Sequence, residues 1–84
     1  MWYVYILKCS DDTLYTGITT DLKRRVDQHN SCRGAKYTCI RKPVKLMTFF
    51  EVKNRSEATK EELRIKKLTK KQKMELIFAN KKTL

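Results

Sequence analysis

Acidic side chains are scarce in this sequence: nine Asp and Glu stand against twenty Lys and Arg, leaving a formal charge of +11 and a pI near 9.8. Glycine occurs twice and proline once, which excludes a collagen-like repeat and the composition of a disordered chain. No apolar run is long enough to span a bilayer as a helix. Met1-Trp2-Tyr3 opens at once on strand-like sequence, so no secretory leader is expected. The three cysteines, Cys9, Cys32 and Cys39, are odd in number and are expected as free thiols in a reducing cytoplasm. His29, Cys32 and Cys39 offer three zinc ligands, but no CxxC knuckle and no fourth ligand accompany them, so a zinc site is disfavoured.

What is present is a globular chain of 84 residues, short enough for one domain with a thin core. Residues 1–80 are expected to form that domain, followed by a frayed basic tail at 81–84. So large a positive excess on so small a surface must gather on some face. The natural partner of that face is a phosphate backbone, through counterion release. Plain solubility is the blander reading. A membrane surface fits less well, because no segment is a clean basic amphipathic helix.

Along the chain there is no repeat and no linker. Residues 3–7 read as a strand, Ser10-Asp11-Asp12 as a turn and residues 13–18 as the returning strand. Thr20 can cap a helix over 21–30 with Leu22 and Val26 as its apolar stripe. A polar, basic loop with Gly34 follows over 31–42 and is closed by Pro43, before a third strand over 44–52. Asn54-Arg55-Ser56-Glu57 and Thr69-Lys70-Lys71-Gln72 have capping-box form and open two further helices. Ala58, Ile65 and Leu68 are expected on the inner face of the first, and Met74, Ile77 and Phe78 on that of the second. The expected order is β-β-α-β-α-α: an α/β domain with a three-stranded, mainly antiparallel sheet flanked by helices.

Val4-Tyr5-Ile6, Tyr15-Thr16-Gly17, Arg25 and His29 form an ordered set over the hairpin and first helix. Ala58, Glu62 and Lys66 continue it, followed by Leu68-Thr69, Lys73 and Leu76-Ile77. In this order the chain resembles the GIY-YIG nuclease superfamily, and in particular its small stand-alone members, over nearly its whole length. Each triplet alone is a weak signal; the ordered set is more specific. The first triplet departs from the family in lacking Gly, and the second has Thr for Ile. Neither change removes a reacting side chain. Asn80 answers to a late family asparagine by position only.

The resemblance implies a metal-dependent endonuclease that hydrolyses phosphodiester bonds, in DNA ahead of RNA, in repair or on branched or single-stranded substrates. It implies Tyr5, Tyr15, Arg25 and His29 as catalytic residues and Glu62 as the ligand of one Mg²⁺ or Mn²⁺. The chemistry suits those residue types. Arg25 can offer a planar fork to phosphate oxygens. A lone carboxylate plus waters and substrate oxygens suits Mg²⁺. Tyr5 can serve as base only beside a cation, since a free phenol titrates near pH ~10. Tyr15 can bond the water or phosphate, and His29, with an ordinary pKa near ~6.5, can assist proton transfer. Taken singly, each has a structural reading. The tyrosines can be strand aromatics, Arg25 a surface partner of Asp21, His29 a helix C-terminal residue and Glu62 a partner of Lys66. A helical wheel does not choose between Glu61 and Glu62.

Strand parity supplies a test. A three-residue loop at Ser10-Asp11-Asp12 sets Tyr5 across from Gly17 and puts Tyr5 and Tyr15 on one face, whereas a two-residue turn separates them. Gly17 would then leave room for substrate or for the Tyr5 ring. Gly17, Lys36, Lys66, Lys70 and Lys73 are the expected nucleic-acid contacts, with Tyr37 and Arg41 able to clamp a strand or stack on a base. A nucleic-acid-binding module on the same fold, without catalysis, is the main rival reading. A basic RNA-associated protein is the next. A homodimer or a protein partner for targeting stays open.

Overall fold

The strand β1 (Trp2–Lys8) lies between β2 (Leu14–Thr19) and β3 (Lys45–Val52), antiparallel to both. This computed structural model describes residues 1–80; the tail expected at 81–84 lies outside the described residues. Helices α1 (Leu22–Asn30) and α2 (Lys36–Cys39) follow β2, and α3 (Arg55–Lys66) and α4 (Lys70–Ala79) follow β3. Helix α1 packs on one face of the sheet and α3 and α4 on the other, and Val4, Tyr5, Ile6 and Leu7 of the central strand are all buried. The sheet divides the core in two. Tyr5 and Leu7 pack with Cys9, Leu22, Val44 and Leu46 on the α1 side. Val4 and Ile6 pack with Ala58, Ile65 and Ile77 on the α3–α4 side.

The hairpin turns in three residues. Cys9 N donates to Thr13 O at 2.9 Å, and Asp12 takes a positive φ of 66°, a conformation that aspartate tolerates better than most side chains. Tyr5 consequently pairs with Gly17 and Leu7 with Tyr15, so Tyr5 and Tyr15 share the α1 face.

Helix α1 starts one residue later than expected. Asp21, not Thr20, is its cap: its carboxylate accepts from Arg24 N at 3.1 Å, while the Thr20 side chain is exposed. At its far end Cys32 takes a φ of 62° just past the cap, which turns the chain back over the helix. Asn30 then clamps α1 to the third strand by peptide-like bonds: its amide donates to Val44 O at 3.2 Å and accepts from Val44 N at 2.7 Å.

Three expectations need correction. The segment 31–42 is not all loop, since it holds the one-turn helix α2. Cys32 and Cys39 are not free thiols: their Cα atoms stand 4.6 Å apart and they form a disulfide, leaving Cys9 as the buried free cysteine. The chain reversal at Cys32 brings the pair together, and spacing alone did not foretell it. Phe78 does not face inward; it is 72% exposed, because the phase of α4 buries Ile77 and leaves its neighbour about 100° round the helix. Met74 packs inward as expected, and Leu76 packs there in place of Phe78. Thr69 and Gln72 make the expected capping box, and Asn54 caps α3 by accepting from Glu57 N at 2.9 Å. Among the described residues no helix is long and apolar enough to cross a membrane.

Candidate active site

Tyr5 projects from the central strand across β2, the edge strand, and Gly17 makes that possible. A Cβ at Gly17 would stand 2.5 Å from Tyr5 Cζ, inside any real contact distance. The space over Gly17 thus belongs to the phenol, not to substrate. The tip of the phenol meets α1. Tyr5 Oη lies 2.9 Å from His29 Nε2 and accepts from Arg25 Nε at 3.4 Å. Arg25 also donates to Gln28 Oε1 at 3.1 Å; it pairs with Tyr5 and Gln28 rather than with the carboxylate of Asp21.

His29 is fully buried. Its Nδ1 lies 2.7 Å from Thr38 Oγ1, and the Thr38 hydroxyl donates to Ala35 O at 2.9 Å. Gly34 closes over the same ring, with a hypothetical Cβ 2.6 Å from Nδ1. Tyr15 meets His29 edge-on at 5.1 Å between centroids and stacks on Tyr37 at 5.8 Å. The Arg41 guanidinium lies 3.9 Å over the Tyr37 ring, and Arg41 Nε pairs with Asp11 at 3.0 Å. Tyr37 is therefore already engaged in a stack, not held open as a platform for a base.

Burial and charge set the protonation states. Burial pushes the Tyr5 phenol up to about 12, against the lowering effect of Arg25 beside it. Burial, seconded by the Arg25 charge, brings the His29 imidazole down to about 4. Near neutral pH both rings are uncharged, so the pair is a neutral hydrogen bond and not an ion pair.

Helix α3 packs against β2 and β1, and the Glu62 carboxylate is close enough to bear on Tyr5, opposing its ionisation. Geometry separates Glu62 from its neighbour. Glu61 is engaged by Arg64 at 2.8 Å on the surface, whereas Glu62 is 19% exposed and only loosely paired with Lys66 at 3.7 Å. Among the described residues no three His, Cys, Asp or Glu side chains gather as a metal cage. Both nitrogens of His29 are taken, and Cys32 and Cys39 are oxidised. The donor set thus fits a hard, largely hydrated cation on one carboxylate and does not fit zinc.

The structure brings Tyr5, Tyr15, Arg25 and His29 together, with Glu62 within electrostatic reach. Lys36 is exposed on α2 beside Tyr37, and Lys66 sits next to Glu62. Lys70 and Lys73 are not drawn into the cluster: they stand on α4, and Lys70 lines a shallow groove with Lys8, Asp12, Leu14 and Met74. Asn80 lies away from the rings as well. It caps α4 and ties it to β3, donating to Thr48 Oγ1 and Phe49 O at 3.1 Å each, while the Thr48 hydroxyl donates to Asn80 O. Thr38, Gly34 and Gln28 were not anticipated. In sequence they look like ordinary polar loop and helix residues, and only the fold over α1 gives them a role.

The hairpin thus presents two tyrosines to an arginine and a histidine on the next helix, with a glutamate from a later helix nearby. A family model described as the GIY-YIG catalytic domain matches residues 1–75. The chain belongs to the GIY-YIG family. It is 54% identical over 77 residues to a UPF0213 protein of Clostridium perfringens, covering 92% of this chain and 83% of that protein. The solution structure of a UPF0213 protein of Bacillus halodurans is 41% identical and matches with a TM-score of 0.60, over 94% of this chain and 85% of that one. A second solution structure, of a protein from E. faecalis, is 45% identical with a TM-score of 0.58, over 88% and 80% of the two chains.

Proposed function

We propose that the domain is an endonuclease that hydrolyses phosphodiester bonds in DNA with the help of a divalent cation, Mg²⁺ or Mn²⁺. The observation that carries this reading is the Tyr5 hydroxyl held between His29 Nε2 and Arg25 Nε, with Glu62 nearby. Arg25 is half-buried over the pair and commits two N–H groups to protein partners. Its remaining donors can take phosphate oxygens, and drawing the guanidinium toward a phosphate opens Tyr5 to a water molecule.

Attack of that water on phosphorus then needs a place for its proton. Tyr5 Oη takes it while passing its own proton to His29 Nε2, so no phenolate has to exist beforehand. The P–O bond to the leaving oxygen breaks and that oxygen is protonated from solvent, while His29, which burial and Arg25 hold down at about 4, gives its extra proton back through Tyr5 to solvent. Glu62 would hold the cation, which supplies positive charge against the growing negative charge on the phosphoryl oxygens. Arg25 and Lys66 add to the same field. Tyr15, edge-on to His29, limits the ring to one orientation.

The test is cleavage of branched, flapped, single-stranded and plain duplex DNA with Mg²⁺ or Mn²⁺, beside Arg25→Ala and Glu62→Gln. Cutting by the wild type, abolished in both variants and in EDTA, is expected. Binding that persists in EDTA with no cutting under any condition would instead indicate a nucleic-acid-binding module. Cutting that survives both substitutions would overturn the site.

A further inference from the structure

We propose that Thr38 is a positioning residue that fixes the tautomer of His29, so that Nδ1 carries the ring proton and Nε2 is left bare to receive the proton of Tyr5. The inference deepens the reading of Tyr5 and His29 as a proton-handling pair and rests on it for its catalytic consequence.

The argument is a count of protons. A threonine hydroxyl has one. That of Thr38 is directed at Ala35 O at 2.9 Å, the residue one turn back along the same segment. Its 2.7 Å contact with His29 Nδ1 can then be made only with Thr38 as acceptor, which requires a hydrogen on Nδ1. A neutral imidazole has a single N–H, so Nε2 carries a lone pair. The other end of the chain agrees independently. Tyr5 Oη already accepts from Arg25 Nε. Were Nε2 protonated, the phenol oxygen would receive two donors. Its own hydrogen would then be left without a partner among the described residues, at a site 1% exposed. Both ends therefore orient the chain one way: Tyr5 to His29, His29 to Thr38, Thr38 to the Ala35 carbonyl.

The scaffold around Thr38 serves this arrangement. Thr38 is fully buried in the one-turn helix α2. Gly34 presses on the Nδ1 side of the ring, and the Cys32–Cys39 disulfide joins the end of α1 to the residue after Thr38. With the wrong tautomer Nε2 would donate to Tyr5 and could not accept from it, so the relay would stop with every side chain still in place.

The sequence contains one histidine, so ¹⁵N-detected imidazole NMR reads His29 without assignment ambiguity. The wild type and Thr38→Ser are expected to show a protonated Nδ1 and a bare Nε2 near pH 7. Thr38→Val is expected to lose that preference. Its kcat for DNA cleavage should fall by ~10- to ~100-fold with little change in KM, and Thr38→Ser should restore it. A wild type protonated on Nε2 would overturn the proposal, as would a folded Thr38→Val that keeps both the Nδ1–H tautomer and full kcat. Should Thr38→Val not fold, the tautomer in the wild type and in Thr38→Ser decides by the same signs. A wild type with the expected tautomer that cuts no DNA would sink the nuclease reading while supporting the assignment to Thr38.

Discussion

The buried pair at the centre of the molecule should make stability depend on pH from both sides. His29 is held down at about 4 against an ordinary 6.5, so the unfolded chain binds a proton first as pH falls. Its contribution is present above pH ~6.5 and is lost as pH falls through about 4, amounting to ~3 kcal/mol at the acid end. Tyr5 is raised to about 12 from 10.0, so its contribution is present below pH ~10 and is lost as pH rises through about 12. Thermal melts across pH should show a plateau between ~6.5 and ~10, and His29→Gln should flatten the acid limb. An acid limb unchanged in that variant would show that other groups cause it. Gly17 makes a sharper test of the same pair. Gly17→Ala places a methyl against the Tyr5 ring, and no neighbour in the buried sheet can yield easily. A loss of ~1–3 kcal/mol is expected. A fall in kcat on the order of 10²-fold should accompany it, since the ring must move by about 1 Å. Thr16, between Tyr15 and Gly17, argues the opposite way. It is 3% exposed across from Ile6, and its hydroxyl has no partner among the described residues. Thr16→Val should raise stability by ~1 kcal/mol in denaturant titration, with cleavage unchanged.

At the scale of elements, α1 carries most of the chemistry and has little to hold it. It has nine residues, and Leu22 is its one buried apolar side chain, too little for a helix that short to persist by itself. Its ends do the holding: Asp21 caps the start, and Asn30 binds the last turn to β3 through Val44. Asn30→Ala should cost ~1–3 kcal/mol by leaving the buried Val44 N–H and C=O unpaired. It should also depress kcat, because His29 is the adjacent residue. A variant as stable and active as the wild type would show that the clamp is idle. The same elements explain what could be read from the sequence alone. The strands and the caps at Asn54 and Thr69 are local, written in alternation and capping pairs, and so they were legible. Whether Tyr5 and Tyr15 share a face hung on a loop length that the turn residues left open between two and three, and the fold decides it. The helical wheel did not separate Glu62 from Glu61, because both border the same face; only the family resemblance chose Glu62, and in the fold the Arg64 pair takes Glu61. Thr38, Gly34 and the disulfide were hidden for a similar reason. They depend on the chain reversing at Cys32, where a non-glycine residue takes a positive φ that no local pattern announces.

The molecule as a whole measures 29 × 26 × 22 Å, so along its longest axis it can cover about eight base pairs of duplex at ~3.4 Å each. The charge of +11 attracts phosphates whatever their sequence, so binding should follow strand geometry more than base order. The basic residues lie on two levels: Lys36 on the α2 side of the sheet, and Lys70 and Lys73 on α4, away from the tyrosine cluster. If both levels track phosphates, affinity should fall with salt at a slope of about 0.9 per contact on logarithmic axes, roughly 3 in all for these three lysines on duplex arms. Replacing Lys70 and Lys73 with Ala should lower that slope by about 2 and weaken binding similarly for every sequence. The kcat at saturating DNA should not change, because neither residue reaches Tyr5, Arg25 or His29. A slope unaffected by the double substitution would mean that α4 faces solvent, and that the nucleic acid lies wholly on the side of α1 and α2.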